Sequence, residues 1–142
     1  MSTIVEEKLI SFKELEQKVF KYVCELGCEI TRIILESYDN ELATSRDTKL
    51  YRDKGGRKTS IKTVYGDVAY WRRVYQTSLD DGEKAYVYLL DQAMQMDKIG
   101  LISTNLAEKI AMTVTESPYR VTADVISSTC GQSISAGGVW NV

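Results

Sequence analysis

Between Ser11 and Leu42 the apolar residues return every three or four positions, and this run constrains the fold more than any other feature. Phe12, Val19, Val23, Leu26, Ile30 and Ile33 form the stripe, and Leu15, Phe20, Tyr22, Ile34, Leu35, Tyr38 and Leu42 widen it. That period belongs to an α-helix. Ser11-Phe12-Lys13-Glu14 is a capping box: Ser11 can accept from the Glu14 backbone, and Glu14 can reach back. Ile10 and Leu15 stand where the matching hydrophobic staple would sit. The spacing therefore predicts a helix of about 30 residues, roughly 45–50 Å long, starting at Ser11. Residues 2–9 form a separate lead-in. So long a helix either packs on elements downstream or pairs with another copy of itself, and a homodimer is one expectation. Glu16 and Ser37 interrupt a strict heptad, and Gly27 suits a close crossing.

After this helix the period changes. Asp53 to Arg57, containing Lys54-Gly55-Gly56, reads as a loop. Thr59–Tyr65 is rich in β-branched residues, Gly66-Asp67 is a two-residue hairpin signal, and Val68–Tyr75 is the return strand. Asp80-Asp81-Gly82 marks a second turn before a third strand at Ala85–Leu89, which completes a three-stranded antiparallel meander. Ser103 then caps a helix running to about Glu116. Ser117-Pro118 opens another that ends near Cys130, with Gly131 as its left-handed cap. Ser135 caps a last apolar stretch holding Val139, Trp140 and Val142, and a helix cut in mid-pattern predicts that a longer protein continues. The fold class is α+β, mostly α. Its three parts are a long helical arm (1–47), a basic β-meander (48–90) and a helical portion (91–142) resembling a helix-turn-helix.

Charge separates these parts. The chain of 142 residues has a formal net charge of −2. Residues 46–75 alone carry nine basic and three acidic side chains, a local +6 between flanks of −4 each. Clustered Lys and Arg on one surface neutralise phosphates, and a two-stranded ribbon fits the DNA major groove. The candidate DNA-binding residues are Lys54, Arg57, Lys58, Lys62, Arg72 and Arg73. Arg72 and Arg73 point to opposite faces of their strand, so they cannot share one surface. The competing reading is a solvated charged face that discourages edge pairing. The helices from Ser117 to Val142 offer a second candidate, but their exposed Gln132, Ser135 and Asn141 include no cation, and an ordinary helical hairpin explains them equally well.

Catalytic chemistry finds little support. With no histidine in the chain, Ser-His-Asp and Cys-His mechanisms and His-containing zinc sites are excluded. Three cysteines cannot make a four-cysteine site. Cys24 and Cys28 share a helix face and read as packing residues, with a metal pair completed across a dimer as the alternative. Asp80, Asp81, Asp91 and Asp97 could hold a divalent ion, although nothing in their spacing requires it. No phosphate loop or nucleophile elbow is present. The expectation is therefore no cofactor, no metal and no small-molecule substrate. No stretch approaches the ~20 apolar residues of a membrane span, and no secretion signal opens the chain, which predicts a cytoplasmic protein without a membrane contact.

Three segments resemble a family: Tyr51-Arg52-Asp53-Lys54-Gly55, then Thr63-Val64-Tyr65-Gly66-Asp67-Val68, then Arg72-Arg73-Val74-Tyr75. They look like the N-terminal regions of ISLre-two-type insertion-sequence transposases, distant relatives of the Mutator-like group. The similarity continues through Leu89-Leu90-Asp91, Ser117-Tyr119-Arg120 and Ser133-Ile134-Ser135 to Val139-Trp140-Asn141, nearly the whole chain from about Phe12. The resemblance implies a longer parent whose DDE-type catalytic domain lies outside this chain. The chain would then be its non-catalytic DNA-binding and assembly region, with transposon ends as partner. In related groups the strand segment is often a zinc ribbon; the meander here lacks the cysteines, so no zinc is expected. The rivals are an oligomerisation module without DNA contact and a small metal-dependent nuclease.

Overall fold

The computed structural model describes residues 11–96, 101–114, 119–132 and 138. The lead-in 2–9, Ile10 of the staple, the Ser117-Pro118 cap, Asp97 and, apart from Gly138, the expected last helix at 135–142 lie outside the described residues. The architecture is α+β. Helix α1 (Phe12–Ser45) comes first, followed by strands β1 (Arg52–Thr63), β2 (Gly66–Ser78) and β3 (Lys84–Val87). Three helices follow: α2 (Leu89–Ala93), α3 (Thr104–Val114) and α4 (Tyr119–Thr129). The strands form one antiparallel sheet in the order β1-β2-β3, the expected meander. No helix of the described residues is long and apolar enough to cross a membrane.

Helix α1 is 34 residues long, and Ser11 caps it by accepting from the Glu14 N–H at 3.2 Å. Its other end is closed by Arg46, whose guanidinium donates to the Ala43 and Tyr51 carbonyls and lies over the Tyr75 ring. Leu35 of α1 is buried with Ile61, Val68, Tyr70 and Leu90, and Tyr38 and Leu42 pack on that cluster. A second cluster joins α3 and α4 through Leu106, Ile110, Ala123, Ile126 and Cys130. Ser103 caps α3 as expected, accepting from the Leu106 N–H at 3.2 Å.

Four expectations need correction. Lys54-Gly55-Gly56 is not a loop but part of β1, where the register shifts between Asp53 and Gly56. Gly55 allows this bulge by taking φ +98°, and its N–H is held by the Asp53 carboxylate at 2.7 Å. The hairpin turn is Val64-Tyr65 rather than Gly66-Asp67, since Thr63 pairs with Gly66 and Lys62 with Asp67. The buried Thr63 hydroxyl sets that turn by donating to the Gly66 carbonyl and accepting from the Tyr65 N–H. The third strand stops at Val87, because Leu89 already begins α2 and Leu90 enters the core. Gly131 is not a left-handed cap. A Cβ there would lie 2.0 Å from the Tyr65 carbonyl oxygen, so glycine serves close approach instead.

The Val64-Tyr65 turn and Gly131 meet at the hairpin tip. Val64 packs into the α3–α4 cluster, and its carbonyl accepts the Gly131 N–H at 2.8 Å. The Tyr65 ring lies against Gly27, which explains the glycine in mid-helix: its Cβ would sit 2.9 Å from that ring. Beside the tip, Lys62 exchanges backbone hydrogen bonds with Leu101 and Ser103. The tip is thus clamped between α1 and α4.

Candidate nucleic-acid interface

The pairing register assigns every residue of the β1–β2 ribbon to a face, because residues directly opposite each other share one. Ile61 opposite Val68 and Thr59 opposite Tyr70 lie on the covered face, against α1 and α2. Lys58 opposite Trp71, Ser60 opposite Ala69 and Lys62 opposite Asp67 lie on the other face, which is open between the clamped tip and Arg73. Beyond Arg73 that face closes over the buried Tyr75, which meets the Tyr51 ring edge-on.

Helix α1 also shields the free edge of β2. The N–H groups of Trp71 and Arg73, which point away from β1, donate to Glu36 and Asp39 at 3.4 and 3.2 Å. A sheet edge left bare invites pairing with another chain, and here side-chain carboxylates occupy it instead.

The six sequence-chosen residues do not form one patch. Arg72 forms an ion pair with Asp91 at 3.0 Å, with both side chains less than a fifth exposed, and its guanidinium stacks 3.9 Å above the Tyr88 ring. Arg73 pairs with Asp39 at 2.7 Å, donates to Asn40 at 2.8 Å and reaches Asp53 at 3.6 Å. Both arginines therefore join the sheet to the surrounding elements, and much of their charge is cancelled locally. Arg57 is exposed on the side of the covered face, donating to its neighbour's carbonyl at Gly56. Lys54 is exposed on the bulge. Lys58 and Lys62 share the open face, the latter 3.3 Å from the exposed Asp67.

Trp71 is absent from the residues that charge alone selects. It is 55% exposed on the open face, directly opposite Lys58. Its ring lies over Gly56, where an added Cβ would be in ordinary contact with it at 3.4 Å. The signal was available: Trp71 alternates with the core residues Tyr70 and Val68 of the same strand. An aromatic out of phase with the buried set lies on the solvent side.

The remaining candidates fall apart or take other roles. Asp91 is committed to Arg72, whereas Asp80 and Asp81 sit in the exposed turn before β3, where Asp81 accepts the Glu83 N–H. The three cysteines do meet, lining a cavity with Tyr65 and Gly131. Burial pushes the Cys24 thiol up, and its neighbour Cys130 adds to this. Cys28 is raised by burial and then by Cys24. Such groups hold their protons and make poor nucleophiles. Among the described residues no group of three or more acidic or cysteine side chains is placed to hold a metal ion.

The model of the Uncharacterised protein family (UPF0236) matches residues 5–142. No curated protein and no solved structure matches the chain.

Proposed function

The chain belongs to the UPF0236 family, and we propose that it is a non-catalytic DNA-binding region of a transposase, using the open face of the β1–β2 ribbon. One observation carries this reading. Lys58 and Lys62 stand on that face with an exposed tryptophan opposite Lys58, while the ribbon's tip is buried. A clamped tip cannot enter a major groove, so a face-on contact replaces the groove-inserted ribbon. Lysines supply the phosphate contacts, and the flat ring supplies a surface on which a base can stack. Lys54 on the bulge extends the basic strip along β1. The family description names no activity; the transposase part rests on the motif resemblance at Tyr51–Gly55, Thr63–Val68 and Arg72–Tyr75.

In this reading Arg72 and Arg73 build the face rather than touch DNA. Binding is weak and insensitive to sequence, because few lysines act within a chain of net charge −2. Fluorescence anisotropy with a short duplex at two salt concentrations tests it. Replacing Lys54, Lys58 and Lys62 together by alanine should abolish binding at moderate salt. The logarithmic salt slope should fall by about 2 to 3, near 0.9 for each phosphate that is no longer neutralised. Unchanged affinity in the triple variant, or no binding by the parent protein at low salt, would refute the reading.

A further inference from the structure

Helix α1 has two apolar faces, and the fold uses one. Cys28, Leu35, Tyr38 and Leu42 turn toward the sheet and α2, and Cys24 turns toward Gly131 at the end of α4. About 140° around the helix, Val19, Val23, Leu26, Ile30, Ile33 and Ile34 remain between 42% and 56% exposed. Five of these, from Val19 to Ile33, follow one another at intervals of four, three, four and three, the seam by which one helix packs along another. The 11-residue helices α3 and α4 bury Leu106, Ile110, Ala123 and Ile126 against each other, leaving Met112, Val121 and Val125 as their exposed large apolar side chains among the described residues. Among the described residues, only α1 itself carries a matching seam.

We propose that this face binds a second copy of the chain, with the two α1 helices antiparallel. The seam is nearly palindromic. Its polar ends are Glu16 and Ser37, equally distant from the middle near Leu26. Antiparallel pairing sets Glu16 beside the partner's hydroxyl end, whereas parallel pairing sets two Glu16 carboxylates together. Charge favours the same choice. Residues 12–24 carry three lysines and two glutamates, a net +1, and residues 25–45 carry five acidic residues and one arginine, a net −4. Antiparallel helices lay −4 against +1, and parallel helices lay −4 against −4. Half-exposed side chains along this seam on two copies put on the order of 1,200 Å² into the contact, the lower end of what a stable interface needs. The inference stands independently of the DNA reading, since the face lies on α1 and not on the ribbon.

Sedimentation equilibrium of the whole chain tests it without nucleic acid. A dimer is expected at about 100 μM, and Leu26→Asp or Ile30→Asp should return it to monomer, with little change in a melting curve taken at a dilution where the parent is also monomeric, because both side chains are half exposed in the monomer. Zero-length carbodiimide coupling of mixed light and heavy-isotope chains then reads the direction. This reagent joins an amine to a carboxylate as an amide with loss of water. A Lys18–Glu36 product between a light and a heavy chain is expected, since within one helix these residues lie roughly 27 Å apart. A monomer at about 100 μM, or a dimer untouched by both aspartates, overturns the proposal. A dimer coupled only between residues at matching heights overturns the antiparallel arrangement.

Discussion

The two faces of the β1–β2 ribbon share one backbone, yet Arg72 and Lys58 show how differently they treat a positive charge. On the covered side Arg72 is held between the Asp91 carboxylate and the Tyr88 ring. On the open side Lys58 stands in solvent, opposite Trp71. The division follows the chemistry of the side chains. A guanidinium is planar, pairs with carboxylates in a fork and stacks on rings, so it can be used as a joint; an ammonium on a flexible stem stays hydrated. Counting basic residues along the chain overstates the charge available to a ligand, because Arg46, Arg72 and Arg73 are engaged in capping, stacking and pairing.

The widest gap between a joint and a solvated cation should appear at Arg73. Its removal leaves the Asp39 carboxylate, 3% exposed, without a counter-charge. Breaking such a pair from one side costs several kcal/mol when buried; with Arg73 about a third exposed, about 3 kcal/mol is expected for Arg73→Ala in urea denaturation. Lys58→Ala should stay within about 0.5 kcal/mol. Equal losses at the two positions would mean that a paired arginine and a solvated lysine on this ribbon do not differ in this way.

A smaller effect is expected where the two faces meet, at the tip. Gly131→Ala places a methyl group 2.0 Å from the Tyr65 carbonyl oxygen, and the atom in the way is backbone. The end of α4 must move off the turn, straining the Gly131–Val64 hydrogen bond. A cost of about 2 kcal/mol follows from overpacking. DNA affinity measured by anisotropy should not change, because the open face is untouched. A gain in affinity would show that a freed tip binds, and the face-on contact would then be wrong.

How much of this was legible in sequence depended on the range of the interactions. The α1 start at Ser11, the cap at Ser103 and the order of three strands are local patterns, and the structure has them. The turn was misplaced by two residues because Gly66-Asp67 has the stronger local signal. What decides the register is the buried Thr63 hydroxyl together with the packing of Val64 on α3–α4 and Tyr65 on Gly27. The Val64 and Tyr65 contacts join residues 38 or more positions apart, beyond the reach of a local pattern. Gly131 misled in the same way, since a glycine after a helix looks like a cap until its neighbour across the fold is known. At the site, alternation separates Arg72 from Arg73, but their carboxylate partners Asp91 and Asp39 lie 19 and 34 residues away.

Trp71 offers the smallest expected effect on stability and the finest distinction between the faces. Its ring covers Gly56, and that alone could account for an aromatic residue at this position, since a ring laid over a glycine restores packing that the strand lacks. Trp71→Ala should then cost roughly 0.5 kcal/mol, near the value of one cross-strand pair. A covering role predicts nothing about ligands. A stacking role does, because base–aromatic stacking contributes about 1–3 kcal/mol per base and requires an unpaired base. With one partly exposed ring, a loss of about fivefold is expected for a single-stranded oligonucleotide, with little change for a blunt duplex of the same length. Trp71→Phe should recover most of the difference, because it keeps an aromatic face with less area. If the alanine variant loses stability but binds both strands as before, the ring is only a cover for Gly56, and the lysines alone make the open face a surface for phosphate.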